Sequence, residues 1–184
     1  MSATNDALGT KIEGVRRIGR SGSGPVCVRP PKPKAGETQE QRDQQEKDRK
    51  KYVEESNKYI EKHGEFNEEL GQNTVTRVST APKPPDVETD LLPGGNPNNR
   101  TLRELASDYA SNERKVNAGS YPNGSIHAGH TPDTCWGGNP NPGFIPMDGR
   151  VNTAIGGQAR GYDEGYQATA FKCCTEECFE GPDC

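Results

Sequence analysis

Residues 125–158 read SIHAGHTPDTCWGGNPNPGFIPMDGRVNTAIGGQ, and this stretch decides how the fold of the chain is interpreted. Two runs in it, residues 125–130 and 143–147, favour short extended segments, separated by Gly, Pro and Asn residues that are typical of turns. Trp136 is the only Trp of the chain, so we expect it to anchor a small core. The pattern predicts an α+β fold in which residues 100–172 hold a helix followed by a small loop-rich C-terminal unit.

Two imidazoles and a carboxylate occur close together in this stretch, at His127, His130 and Asp133. In a regular strand the side chains of His127 and His130 point to opposite faces, whereas a turn at residues 128–129 would bring all three groups to one point. Such a group can hold a divalent metal ion, or one imidazole can act as a general base while the others position the ion. The alternative is a set of polar loop residues without chemistry.

A long polar helix is expected upstream, in the segment 37–79. Its first part is dense in Glu, Lys, Gln and Arg, which favour helices, and it contains no Pro. The apolar residues Tyr52, Tyr59 and Phe66 recur every seven residues and give one narrow stripe on the C-terminal half. The N-terminal half has no such stripe, so we expect it to be solvated or held by a partner.

A shorter helix follows a Pro- and Gly-rich linker at residues 80–99. Thr101 and Glu104 stand at the positions of a capping box, which predicts the start of this helix, and Gly119 is expected to end it. Two helices therefore precede the loop-rich unit. A Cys-rich tail follows the unit at residues 173–184.

The N-terminal segment, residues 1–36, is predicted to form an extended basic arm. It holds 7 Lys/Arg and 2 Asp/Glu, a net charge of +5, whereas residues 119–184 hold 3 and 8, a net charge of −5. The arm could contact phosphates or an acidic partner, and a solvated tail is the alternative. Its basic residues are Lys11, Arg16, Arg17, Arg20, Arg29, Lys32 and Lys34.

The composition argues against several classes of protein. Hydrophobic residues make up 28% of the chain, too few for one large core over the whole length. No apolar run is long enough to cross a bilayer, and residues 1–24 lack the apolar segment of a signal peptide. The glycines of residues 19–24 are not followed by Gly-Lys-Ser/Thr, so a phosphate-binding P-loop is excluded as well.

The six cysteines leave three states open: bound zinc, disulfides and free thiols. The cysteines that crowd the C-terminus, in a spacing that departs from that of zinc ribbons, are Cys173, Cys174, Cys178 and Cys184. Disulfides that staple this tail require an oxidising compartment, and free thiols are the default. Cys27 stands alone in the arm. Cys135 and His130 could form a nucleophile and its base, but no third member accompanies them.

Four short motifs follow one another between residues 129 and 171. They are Gly-His-x-Pro-Asp at 129–133, Trp-Gly-Gly at 136–138, Val-Asn-x-x-Ile-Gly-Gly-Gln at 151–158 and Gly-Tyr-x-x-Thr-x-Phe at 165–171. In this order they resemble the GHH-signature nuclease toxins. Those toxins belong to the HNH/endonuclease VII superfamily and occur at the C-termini of bacterial polymorphic and type VI secretion effectors.

The resemblance implies a ββα-metal nuclease that hydrolyses nucleic acid with a divalent metal ion, Mg²⁺ or Zn²⁺. In that scheme a histidine at the end of the first strand activates water, and a side chain on the following helix completes the site. Carried over to this chain, His130 is the base and Asn152 is the helix residue. The metal ligands would be His127 and Asp133, and the substrate contacts would be Gln158 and Arg160.

The resemblance also implies a secreted effector. Such a protein resides in the bacterial cytoplasm before export by a route that needs no signal peptide, and it has an immunity or loading protein as a partner.

Two features of this sequence depart from the pattern of the family. No second histidine follows His130, so Asn152 or Gln158 would have to replace it, or the site would be inactive. The C-terminal unit is also acidic, which a metal ion and the basic arm would compensate only in part.

A different class of function fits the same sequence: a structural or interaction protein. Extended Pro-rich arms, one long polar helix and Gly/Pro-rich loops suit a chain that is ordered within a larger assembly. Such a chain would place most of its apolar residues against other subunits. Metal-dependent cleavage of nucleic acid would favour the nuclease instead.

Overall fold

A computed structural model describes residues 20–80 and 100–174 of the chain, so residues 1–19 of the arm, linker residues 81–99 and tail residues 175–184 lie outside the described part. The fold is α+β, as the sequence predicts. The elements are β1 (Ser23–Val28), α1 (Gln39–His63), β2 (Glu65–Asn67), β3 (Gln72–Thr76), α2 (Leu102–Val116), β4 (Ile126–His130), β5 (Phe144–Asp148), α3 (Gly149–Gln158) and β6 (Gln167–Cys173). None of these helices combines the length and the apolar composition that crossing a bilayer requires.

The strands of the described residues form two sheets. The larger has the order β1-β6-β3-β2, in which β1 is parallel to β6 and the other pairs are antiparallel. The smaller is the β4–β5 hairpin, where His127 lies opposite Met147 and His130 lies opposite Phe144. Since α3 follows β5 without a connecting residue, β4, β5 and α3 form a ββα unit.

The arm predicted at residues 1–36 is not free where the structure describes it. Part of it forms β1, which pairs with β6, and the last three residues of the strand are buried. Cys27 forms a disulfide with Cys174, so the predicted Cys-rich tail begins inside the core. Local patterns could not predict this strand, because its hydrogen-bonding partner lies at the other end of the chain, with the two cysteines 147 residues apart.

The long helix ends well before the predicted boundary of the 37–79 segment. Gly64 has an extended backbone, and its N–H closes the last turn on the Ile60 carbonyl at 2.9 Å. A Cβ at Gly64 would lie 2.5 Å from that same carbonyl oxygen, so the position suits glycine. The rest of the segment forms the β2–β3 hairpin, and Phe66, which was expected on the helical stripe, is 65% exposed in β2.

One face of the N-terminal half of α1 is buried, and its side chains are polar. Asp48 and Arg49 are each 7% exposed. The Asp48 carboxylate accepts a hydrogen bond from the backbone N–H of Asp148 at 2.7 Å. Arg49 Nη1 donates to the carbonyl oxygens of Val28, at 2.7 Å, and Cys174, at 3.0 Å. Residues 39–44 are exposed, so the expectation that this half is solvated holds there. It is wrong for the face of Asp48 and Arg49, whose partners are backbone groups of the chain itself.

Two further polar side chains of α1 bind the rest of the fold. Asn57 pairs with the backbone of Phe171 in β6: its Nδ2 donates to the carbonyl oxygen at 3.0 Å, and its Oδ1 accepts from the N–H at 2.7 Å. The hydroxyl of Tyr52 accepts from the N–H of Asp133, in the loop after β4, at 3.2 Å. Through these contacts α1 lies across both sheets.

Trp136 anchors the core, which confirms the sequence prediction. Its side chain is 2% exposed, and its ring packs edge-on against Tyr162, Tyr166 and Phe171 at centroid distances of 5.4, 6.3 and 5.7 Å. Edge-to-face packing of this kind stabilises aromatic cores beyond the burial of area. The cluster joins the loop after β4 to β6 and to the turn before it.

The predicted capping box of the shorter helix is present in α2. Thr101 Oγ1 accepts from the N–H of Glu104 at 3.2 Å, and the Glu104 carboxylate accepts from the N–H of Thr101 at 2.7 Å. The helix ends at Val116, and a 3₁₀ turn at Ala118–Ser120 occupies the place of the predicted end at Gly119.

Replacing Arg49 with Ala should lower the free energy of unfolding by on the order of 3 kcal/mol, because two buried carbonyl oxygens lose their charged donor. Denaturation in urea followed by Trp136 fluorescence measures the change. Lys50 is exposed at the next position of the helix, and its replacement with Ala should change the value by less than about 0.5 kcal/mol. Equal losses in the two variants would contradict a structural role for the guanidinium.

Candidate functional site

The N-terminus of α3 meets the ends of both hairpin strands. Asp148 caps the helix, because its Oδ1 accepts from the N–H groups of Arg150, at 2.8 Å, and Val151, at 3.4 Å. The N–H of Gly149 donates to the carbonyl oxygen of Ser125, just before β4, at 2.8 Å. The first three N–H groups of the helix are thus satisfied within the chain, and the helix start is a fixed corner.

His127 lies against this corner. A Cβ on Gly149 would lie 2.6 Å from His127 Nε2, so the imidazole occupies space that only glycine leaves. On the other side of the ring, Asn152 Nδ2 lies 3.4 Å from His127 Nδ1. Rotation of the amide exchanges its oxygen and nitrogen, so Asn152 can accept from a protonated Nδ1 or donate to an unprotonated one. The structure therefore brings together a strand histidine and a helix amide.

His127 opens into a cleft of about 670 Å³ between α1, α3 and the segment after β1, which we call the His127 cleft. Two cationic side chains, Lys32 and Arg150, line it together with the carboxylate of Asp148. Arg150 forms an ion pair with Glu37 and donates to the carbonyl oxygen of Lys32, so it holds the segment after β1 against α3. Lys32 belongs to the predicted basic arm, and its side chain is exposed at the cleft. The described part of the arm thus brings a cation to the histidine.

The structure does not bring His130 and Asn152 together. His130 Nε2 lies 3.0 Å from the carbonyl oxygen of Ala106 and therefore donates to it, and the ring packs on Phe144 at 4.8 Å. Burial lowers the pKa of His130, against the opposing effects of Asp133 and of two backbone carbonyls. The His130 imidazole is buried and donates to a carbonyl oxygen, so its role is structural. The predicted pair of His130 as base and Asn152 as helix residue is therefore not formed.

The predicted metal ligands His127 and Asp133 line different clefts. Strand β4 runs regularly through residues 128–129, so the turn that would have joined the ligands does not form. Asp133 Oδ1 instead accepts from the N–H of Cys135 at 3.1 Å, as in a polar turn. Among the residues that the structure describes, no three His, Cys, Asp or Glu side chains are placed to hold a metal ion. The residues present do not fit the implied Mg²⁺ or Zn²⁺ centre.

The two predicted substrate contacts have different surroundings. Gln158 binds the backbone of Arg29 with both ends of its amide: Oε1 accepts from the N–H at 2.8 Å and Nε2 donates to the carbonyl at 3.0 Å. Gln158 thereby joins α3 to the residue after β1. Both ends of its amide already form hydrogen bonds within the chain, so neither is available to a substrate. Arg160 is exposed and lines a second cleft together with His130 and Asp133.

Sequence reasoning did not select Asp148 and Gly149. An Asp-Gly pair is typical of turns, so its sequence did not indicate that it lies at the junction of a strand and a helix. The available signal was an Asp followed within three residues by the apolar Val151, as expected of a helix cap. The need for Gly149 depends on where the His127 ring lies, which no local pattern reports.

The described cysteines are a disulfide pair and two free thiols. Cys135 is buried, and burial raises the pKa of its thiol far above the usual range, so it does not form the nucleophile that a pair with His130 would need. Cys173 is free and exposed at the end of β6. Cys178 and Cys184 lie outside the described residues.

Replacing Gly149 with Ala should displace the His127 ring, because the new methyl group would lie 2.6, 2.9 and 3.0 Å from three ring atoms. Long-range ¹H–¹⁵N spectra of the imidazole should then show shifted Nδ1 and Nε2 resonances. Gly157 lies on the same helix with open space around it, so Gly157→Ala is the matched control and should leave these resonances in place. Unshifted His127 resonances in Gly149→Ala would contradict the contact.

The free energy of unfolding should fall as the pH drops below about 6.5, the ordinary pKa of histidine. Because burial lowers the pKa of His130 in the folded state, the unfolded chain binds the proton first, and stability is lost as the pH falls from the unfolded value toward the folded one. His130→Gln should make this fall shallower, as measured by urea midpoints between about pH 7 and 5. The exposed His63 provides the control, and His63→Gln should keep the original slope.

Comparison of the chain with protein-family profiles, curated proteins and solved structures finds no match. A function therefore has to be argued from the ββα unit and the groups that it brings together. The strongest grouping among the described residues is His127 with Asn152 and Gly149 at an open cleft that Lys32 also lines.

Proposed function

We propose that this chain hydrolyses phosphodiester bonds of nucleic acid at the His127 cleft. The observation that carries the proposal is the placement of His127, on the first strand of a hairpin, against the amide of Asn152 on the helix that follows. This is the order of elements that the resemblance to GHH-signature nucleases implies, with His127 rather than His130 as the strand histidine. The cleft is open and has room for a sugar-phosphate unit.

In the proposed reaction His127 acts as the general base through Nε2. This requires a proton on Nδ1, which Asn152 stabilises when its amide oxygen accepts from that nitrogen. Nε2 then carries the free lone pair and removes the proton of the attacking water. The water oxygen bonds to phosphorus as the P–O bond to one sugar oxygen breaks, and the leaving oxygen takes a proton from solvent, to which the imidazolium returns its own. Gly149 keeps the ring in place, since any side chain at this position would collide with it.

The phosphate is attracted by side chains rather than by the helix N-terminus. The N–H groups of Gly149, Arg150 and Val151 already donate within the chain, so they have no bond to offer an anion. Lys32 supplies an ammonium group at the cleft, and Arg150 holds the backbone of Lys32 in position. No step is assigned to a metal ion, because residues 20–80 and 100–174 do not form a centre for one.

The biological setting follows from the resemblance alone. In that setting the chain is a toxin that is made in the bacterial cytoplasm, exported without a signal peptide and blocked by an immunity protein. We keep this setting as part of the proposal, separate from the chemistry of the cleft.

The alternative of a scaffold protein lacks the surface that it requires among the described residues. Most large apolar side chains pack into the chain's own core, and the exposed ones are Phe66, Leu70 and Val116. A chain ordered by other subunits would expose more apolar surface when it is alone. We therefore prefer the hydrolase to the scaffold protein as the proposed function.

Purified full-length protein should nick supercoiled plasmid, and His127→Ala should reduce the rate by about 100-fold or more, as expected for loss of a general base. Parallel reactions with Mg²⁺, Mn²⁺, Zn²⁺ and a chelator test the need for an ion. His63 is exposed at the opposite end of α1 from the cleft, so His63→Ala is the matched control and should retain full activity. Absence of nicking under every metal condition, or equal rates for His127→Ala and wild type, would refute the proposal.

A further inference from the structure

A second cleft, of about 510 Å³, lies between α2, α3 and the loop after β4. Three arginines from different parts of the chain line it: Arg77 after β3, Arg103 on α2 and Arg160 after α3. We call it the arginine cleft. It contributes nothing to the reaction described above, and its chemistry differs from that of the His127 cleft.

The arginine cleft is positively charged within an acidic chain. The chain carries a net charge of −4, yet three guanidinium groups converge here and Asp133 is the one described carboxylate in the lining. None of the three arginines forms an ion pair with a carboxylate of residues 20–80 or 100–174. His130 adds no charge at neutral pH, because burial lowers its pKa. The cleft therefore suits an anion.

The three arginine side chains differ in how they are held: one is hydrogen-bonded to the backbone and two are exposed. Arg77 is held in place, since its Nε donates to the carbonyl oxygen of Ala159 at 3.2 Å and its Nη1 donates to that of Val78. Arg103 and Arg160 are exposed at the rim and can close on a ligand. Such a combination of one fixed and two exposed guanidinium groups suits a phosphate, which accepts several charge-assisted hydrogen bonds at once.

Further polar groups and open space accompany the arginines. Thr134 lines the cleft, and its buried hydroxyl has no hydrogen-bond partner among the described residues. Ser107 adds an exposed hydroxyl. On α3 the wall consists of Thr153, Gly156 and Gly157. A Cβ on Gly156 would lie 3.4 Å from Asp133 Oδ2, whereas one on Gly157 would meet nothing within 4 Å. The open space beside Gly157 leaves room for a group of phosphate size.

We propose that the arginine cleft binds a backbone phosphate of the same nucleic-acid strand whose scissile phosphate lies at His127, an inference that rests on the proposed hydrolase function. Thr153 on α3 lines both clefts, so a strand that crosses the helix there passes from one cleft to the other. The contact is to the phosphate and reads no base, so it positions the strand without selecting a sequence.

Fluorescence anisotropy with a short labelled DNA duplex and a labelled single strand tests the proposal. The parent protein is His127→Ala, which removes cleavage from the measurement. In this parent, Arg103→Ala and Arg160→Ala should each raise the Kd about tenfold, and each should reduce the slope of log K against log salt by about 1. Gly157→Glu places a carboxylate on the exposed wall and should weaken binding at least as much, without removing any packed side chain.

Arg114→Ala is the charge-matched control, since Arg114 is exposed near the C-terminal end of α2 and lines neither cleft. An unchanged Kd and salt slope in Arg103→Ala, Arg160→Ala and Gly157→Glu would overturn the inference. So would equal losses in Arg114→Ala. Saturation by inorganic phosphate alone, with no effect of these variants on DNA binding, would also overturn it, because the cleft would then serve a free phosphate.

The plasmid assay separates this inference from the proposed function. If wild type nicks plasmid and the arginine variants bind DNA as tightly as their parent, the inference fails and the hydrolase stands. If wild type does not nick plasmid and the arginine variants still lose DNA binding, the phosphate contact stands and the hydrolase fails.

Discussion

The buried polar face of α1 is the constraint on which the rest of this fold depends. Asp48 fixes the backbone at the start of α3, Arg49 joins the ends of β1 and β6, and Asn57 pairs with the middle of β6. Burying charged groups costs free energy unless their hydrogen bonds are satisfied, and here backbone groups satisfy them. Along its N-terminal half, which has no buried apolar side chain before Tyr52, the helix thus contacts the rest of the fold through hydrogen bonds.

This arrangement connects stability with the candidate site. The carboxylate of Asp48 holds the N–H of Asp148, and the carboxylate of Asp148 in turn caps the helix that carries Asn152. His127 lies against the same corner through Gly149. The position of the imidazole is therefore set by a chain of contacts that begins in the core, so the geometry of the cleft does not depend on flexible side chains alone.

Local patterns predicted the elements whose causes are local. The capping box at Thr101, the two hairpin strands and the core position of Trp136 each follow from neighbouring residues. The pairing of β1 with β6 does not follow from neighbouring residues, because it joins opposite ends of the chain. The buried side chains in the N-terminal half of α1 are polar, so no hydrophobic periodicity in the sequence indicated that they are buried. For the site, the sequence located the histidines and Asn152, yet only the fold shows that Asn152 contacts His127 and that His130 faces α2.

The bond between Cys27 and Cys174 closes almost the whole described chain into a covalent ring. A polypeptide threaded through a pore that admits one extended strand cannot carry such a ring, since two strands would have to enter side by side. Passage by threading therefore requires both sulfurs as thiols, and the ring must close afterwards on the far side. A route that moves folded protein imposes no such order of events. For an exported effector, the setting proposed above, the oxidation state of this pair before and after passage would therefore distinguish the two routes.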